Sequence, residues 1–155
     1  MNSIGLGVTD EDQASLFGLY QLPEPVFGED SGALLKDLAV ELAQIPTKYG
    51  FIVVDAITDL ASTSQDSAIM AFIFNCKRMC SNGRTVVVVA HSSAFSTDLL
   101  GRASSVCETF MKLSTGKLRE KAVRKAELLK VDDIELDRDN MIASNVEPEL
   151  GLHII

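Results

Sequence analysis

The stretch Phe51-Ile52-Val53-Val54-Asp55, closed by an acid and followed by the polar turn Thr58-Asp59, decides how the rest of the chain is read. Four apolar residues rich in β-branching describe a strand buried on both faces, as in a parallel α/β sheet. An acid at the carboxyl end of such a strand stands where ligands bind in open α/β sheets. Upstream, Leu34, Leu35, Leu38, Leu42 and Ile45 recur at three- and four-residue steps. That spacing predicts an amphipathic helix capped by Ser31 and stopped by Pro46 and Gly50. Earlier still, residues 16–22 alternate enough for a strand, which Pro23-Glu24-Pro25 ends.

Downstream, after Ser62-Thr63-Ser64, a second helix is predicted from about Asp66 to Cys80. Its apolar face is Ile69, Ala71, Phe72, Ile73, Cys76, Met79 and Cys80, and Asn82-Gly83 ends it. Thr85-Val86-Val87-Val88-Val89-Ala90 is too β-branched to prefer a helix and forms a second buried strand, closing in His91-Ser92-Ser93. Ser96 or Thr97 caps a helix from about Asp98 to Cys107, and Thr109 to Leu113 alternates like a strand. From Lys117 to Val131 propensity favours a helix, although the apolar positions alternate imperfectly. The tail reads as two short strands, 140–143 and 151–155, around Glu147-Pro148-Glu149. Repeated strand-helix-strand order implies right-handed crossovers and a three-layer α/β domain with a mostly parallel sheet.

Composition bounds the function. A chain of 155 residues, 46% hydrophobic, supports one domain with a proper core. Its 22 acidic against 14 basic residues give a formal charge of -8, which repels a phosphate backbone and argues against a nucleic-acid groove. The basic run from Lys117 to Lys125 is interleaved with an acid and reads as a solvated face. Three cysteines without a C-x-x-C pair fit a reducing, cytoplasmic compartment, where Cys76 and Cys80 pack as small apolar groups. The chain opens without a basic or long apolar leader, and no run reaches the roughly 18 apolar residues of a membrane span. It is expected to be neither exported nor inserted into a membrane.

Asp55 on one strand, and His91 with Ser92 on its neighbour, place an acid, an imidazole and hydroxyls at one edge of the sheet. An acid there can hold magnesium directly or through water, and a polar residue on the adjacent strand can orient an attacking water or sense a terminal phosphate. His91 can equally donate to a neighbouring carbonyl, and His153, between Leu152 and Ile154, reads as a half-buried strand residue. A Ser-His-Asp hydrolase lacks its G-x-S-x-G elbow here. The phosphate-cradling pattern G-x-x-x-x-G-K-[ST] also fails: the only Gly-Lys pair, Gly116-Lys117, is followed by Leu118 and has Met111 where the first glycine belongs. Gly5-Leu6-Gly7 reads as a turn.

Four segments carry a resemblance over nearly the whole chain: Ile52 to Asp59, Val87 to Ser96, Leu100 to Cys107, and Asn145 to Ile155. Together they resemble the archaellum (archaeal flagellum) accessory ATPase family, in the circadian-clock-ATPase-like branch of the RecA superfamily. The His91-Ser92-Ser93-Ala94-Phe95-Ser96 and Glu147-Pro148-Glu149-Leu150-Gly151-Leu152 segments are its most specific parts. The resemblance implies a RecA-like domain spanning 1–155 in part, with a carboxyl-terminal antiparallel hairpin of Glu108 to Leu113 with Leu118 to Val131, and without the phosphate-loop strand. That loop and the family's general-base glutamate would lie before Met1. ATP and magnesium are the implied cofactors, with Asp55 positioning the metal and Thr58, His91, Ser92 and Lys130 on the nucleotide side. Lys130 matches the lysine of a cross-subunit lysine–arginine pair, but Asp132 occupies the arginine's place. The implied partners are the archaellum motor ATPase and its membrane platform, with a homo-oligomeric ring for the full-length protein at the cytoplasmic base of the motor.

Overall fold

The computed structural model describes Gly18 and residues 30–118, 121–132, 141–147 and 151–154. The strand expected at 16–22 therefore falls outside the described residues, apart from Gly18. The described residues divide into two compact units, one up to Cys107 and one from Glu108 onward.

In the first unit, β1 (Phe51–Asp55) and β2 (Thr85–Val89) pair in parallel with Phe51 opposite Thr85 and Asp55 opposite Val89. Helix α1 (Ser31–Gln44) precedes β1, while α2 (Thr58–Thr63) and α3 (Asp66–Ser81) form the crossover to β2. A single 3-10 turn (Ser92–Ala94) and α4 (Thr97–Val106) follow. The cap of α1 is Asp30 rather than Ser31. Its extended backbone lets the carboxylate accept from Gly32 N at 2.9 Å, and the Ser31 hydroxyl bonds Thr63 Oγ1 at 2.6 Å instead. Ser96 caps α4, accepting from Leu99 N at 3.1 Å. Beyond α3, Gly83 adopts φ +85, a conformation that glycine enters without steric cost.

Thr58-Asp59 opens a short helix rather than a turn. Ile57 and Ala61 are buried beside it, and the Ser62 and Thr63 hydroxyls fold back onto the Asp59 carbonyl, so hydroxyl-rich sequence is absorbed by its own backbone.

The core of this unit joins Leu35, Leu38 and Leu42 of α1, Ile69, Phe72, Cys76 and Met79 of α3, and Leu99 of α4 to Ile52 and Val54 of β1. Val86 and Val88 pack against it from β2. Burial of β1 and β2 on both faces is realised on one face only. Ile52 and Val54 are 6% and 4% exposed, whereas Phe51 and Val53 are 63% and 53% exposed, with Val87 and Val89 also exposed beside them. The buried residues of the described helices gather against one face. An apolar run without alternation cannot distinguish one covered face from two.

Burial pushes the Cys76 thiol up to about 12, with Cys80 and Cys107 adding to the effect, and no disulfide joins any of the three cysteines. A raised thiol pKa means that Cys76 contributes stability below its ordinary value of 9.0, and that this contribution is lost as pH rises from there towards 12. At pH 8, iodoacetamide is expected to modify Cys76 at least about ten-fold more slowly in the folded chain than in urea, followed by peptide mass mapping. Equal rates would contradict its burial.

The second unit is an antiparallel sheet in the order β3-β4-β5-β6, with β3 Thr109–Leu118, β4 Lys121–Val131, β5 Met141–Glu147 and β6 Gly151–Ile154. The helix that propensity favours over Lys117 to Val131 is not formed; the long β3–β4 hairpin implied by the resemblance is. Ten register pairs, from Thr109 opposite Val131 to Leu118 opposite Lys121, override the helical leaning of Ala, Leu, Lys and Glu. A bulge at Phe110/Met111 interrupts the ladder, and Asp132 N donates to Glu108 O at 2.8 Å across its base. Among the described residues, no helix is long and apolar enough to cross a membrane.

Candidate functional site

The site is built at the carboxyl ends of β1 and β2. Alternation along β1 puts Asp55 on the same face as Phe51 and Val53, the exposed one, because Ile52 and Val54 occupy the core face. Beyond the last register pair the two strands stay tied. Ile57 N donates to Val89 O at 3.1 Å, and His91 N donates to Thr58 Oγ1 at 3.0 Å. Thr58 thus fixes the backbone of the next strand's polar segment and is half-buried, whereas Asp55, His91 and Ser92 are exposed. The Asp55–Ala56 peptide is cis.

His91 precedes the 3-10 turn, whose closing bond runs from Ala94 N to His91 O at 3.0 Å. Among the described residues its imidazole has no hydrogen-bond partner, so the reading in which it satisfies a neighbouring carbonyl is not what the structure shows. His153 lies on β6, and its side chain is outside the described residues.

The structure brings Asp55, Thr58, His91 and Ser92 to one pole of one unit. Lys130 belongs to β4 of the other unit, where its ammonium pairs with Asp132 Oδ1 at 2.9 Å. The residue in the expected arginine's place therefore pairs with the lysine. Among the described residues, no group of three or more His, Cys, Asp and Glu side chains could hold a metal. A lone carboxylate fits magnesium only where waters and phosphate oxygens complete an octahedron, which is the usual arrangement for that ion beside nucleotides.

Sequence reasoning missed the Asp30 cap and the placement of Arg84. Arg84 donates to the carbonyls of Leu42 and Ile45 at 3.2 and 2.6 Å, satisfying the end of α1. Only the proximity of an arginine to a strand start hinted at it. A second tie between helices is Arg102, which bonds Asp66 of α3 at 2.5 Å and Asp98 of its own helix at 3.0 Å. These partly exposed pairs contribute at most about 1 kcal/mol each.

No family model matches the chain. Over 105 residues it is 22% identical to the archaeal flagellar ATP-binding protein FlaH of Sulfolobus acidocaldarius, an alignment covering 68% of this chain and 46% of that protein. Its fold superposes on the crystal structure of flagellar accessory protein FlaH from Methanocaldococcus jannaschii with a TM-score of 0.59 and 17% identity, covering 82% of this chain and 55% of that one. The chain is similar to FlaH. It spans about half the length of the FlaH proteins it matches. Its α/β architecture, a parallel strand pair followed by an antiparallel sheet, corresponds to part of the fold of the Methanocaldococcus jannaschii FlaH structure.

Proposed function

We propose that this chain forms part of an ATP- and magnesium-binding protein of the archaellum machinery. The observation that carries the reading is the pole at which Asp55 closes β1 while Thr58 holds His91 at the end of β2. Nucleotides bind at that pole in open α/β sheets. The FlaH of Sulfolobus acidocaldarius is described as ATP-binding, and the one from Methanocaldococcus jannaschii as an accessory protein, which favours a regulatory or assembly role over bulk turnover. In this reading Asp55 positions magnesium, Thr58, His91 and Ser92 face the nucleotide, and both units belong to one RecA-like domain. The protein would act in the cytoplasm at the base of the motor, as a homo-oligomeric ring contacting the motor ATPase and the membrane platform.

The 155 residues contain no phosphate-cradling motif, so calorimetric titration with magnesium-ATP is expected to give no binding in the micromolar range. Micromolar affinity would overturn that expectation. In a polypeptide that joins these residues to a phosphate loop, Asp55→Ala is expected to lower magnesium-dependent ATP affinity by about ten-fold or more. Unchanged affinity would remove Asp55 from the metal site.

The Lys130–Asp132 pair favours a second reading, a RecA-like scaffold that assembles without catalysis, because that lysine is engaged within its own unit. Partner capture from purified motor components with and without ATP separates the two: a scaffold binds equally in both.

A further inference from the structure

The backbone donors that β2 turns towards β1 recur at every second residue. Thr85 N begins the series, donating to Gly50 O at 2.7 Å, and the parallel register carries it through Val87 and Val89 to His91. At His91 the ladder has run out of carbonyls, because β1 ends at Asp55 and the chain has entered α2 at Thr58. The Thr58 hydroxyl takes the carbonyl's place, accepting from His91 N at 3.0 Å. A side chain thereby adds one rung to the ladder after the strand has turned away.

The other backbone group of His91 is held as well. The residue is extended, at φ -73 and ψ 131, and its carbonyl accepts from Ala94 N at 3.0 Å across the 3-10 turn. The imidazole of this exposed residue therefore keeps only the freedom of its own side-chain torsions. The same step of two puts His91 on the face of Val89, whose register partner is Asp55. Thr58 is β-branched, so its hydroxyl is confined to few rotamers. Among the described residues, that hydroxyl makes no other hydrogen bond.

We propose that Thr58 is a positioning residue: its hydroxyl fixes the backbone of His91 and acts on a bound nucleotide only through that imidazole. The inference rests on the nucleotide reading of this pole and sharpens it, since Thr58 then stands beside the nucleotide without touching it. What position 58 requires is a short side chain with an oxygen acceptor. Valine has the shape of threonine but leaves the His91 amide to water, and because the bond lies near the surface the fold survives its loss.

The first arm of the test uses the 155-residue chain and needs no nucleotide. Amide hydrogen exchange followed by NMR is expected to show the His91 N–H protected in the unaltered chain and in Thr58→Ser, and exchanging about ten-fold or more faster in Thr58→Val. The Ile57 N–H, which bonds Val89 O, should keep its protection in all three, showing that the strand pair is intact. The second arm measures magnesium-ATP affinity in the polypeptide that joins these residues to a phosphate loop. Thr58→Val and His91→Ala are each expected to weaken binding by about three-fold or more, and Thr58→Ser by less than about two-fold; Thr58→Val/His91→Ala should bind no worse than His91→Ala alone. Additive losses would mean that Thr58 touches the nucleotide itself, and unchanged His91 exchange in Thr58→Val would mean that the hydroxyl does not hold the backbone. Either result overturns the proposal, as does affinity indifferent to His91→Ala. Absence of magnesium-ATP binding in that polypeptide would sink the nucleotide reading and with it the second half of the proposal, leaving the exchange arm to decide the first.

Discussion

Phe72→Ala is expected to lower the free energy of unfolding by about 3–5 kcal/mol, read as a shift in the urea midpoint at unchanged slope. Phe72 sits mid-way along α3 and is 1% exposed, among the largest fully buried side chains of the first unit. Its neighbours Ile69, Cys76 and Met79 share its helix face, while Leu35 and Leu38 approach from α1, which packs directly on α3. Truncation removes the transfer energy of the ring and leaves a cavity that two packed helices cannot fully close. Against a typical total of about 5–15 kcal/mol, such a loss is a large fraction of the stability. A cost below about 1 kcal/mol would show that the helices do not pack as described.

The second large effect distinguishes the two faces of the parallel pair. Val54→Asp is expected to unfold the first unit at neutral pH, because it puts a carboxylate at a 4% exposed position lined by apolar side chains, a burden of several kcal/mol without a partner. Val53→Asp, one residue away, stands at a 53% exposed position and is expected to change stability by less than about 1 kcal/mol. Circular dichroism and thermal melting of the two variants check the pair. If Val53→Asp proves as damaging as Val54→Asp, both faces of β1 are covered in the working protein, by chain or partner beyond the described residues.

How much of this was legible beforehand depends on which force dominated locally. The three longer helices and the two β-branched strands stood out in the sequence, because periodicity and β-branching act within a few residues of each position. Asp66 and the Asn82-Gly83 stop marked α3 to within one residue. The cap of α1 was misplaced by one position because Asp30 and Ser31 are both good caps, and the choice was made by a contact across 32 residues, Ser31 to Thr63. The hairpin was illegible to propensity: Lys, Ala and Glu lean to helix, and only pairing with a strand outside the window reverses them. The resemblance supplied that information. The site divided in the same way. Asp55 and His91 were visible as polar ends of apolar strands, whereas the role of Thr58 as acceptor for the His91 amide required the parallel register. The engagement of Lys130 with Asp132 could be suspected from their spacing, but only a strand geometry brings them within 2.9 Å.

Arg84 carries a consequence for the order of events in folding. Its bonds to the Leu42 and Ile45 carbonyls close loops of about forty residues, and β1, α2 and α3 all lie inside those loops. The intervening chain must already be compact before the guanidinium can reach its acceptors, since closing a long loop comes late unless other contacts shorten it. Arg84 therefore belongs to the finishing stage of assembly. Arg84→Ala is expected to speed unfolding while leaving the folding rate nearly untouched, as read from the two limbs of a chevron plot, which is how interactions absent from the transition state behave.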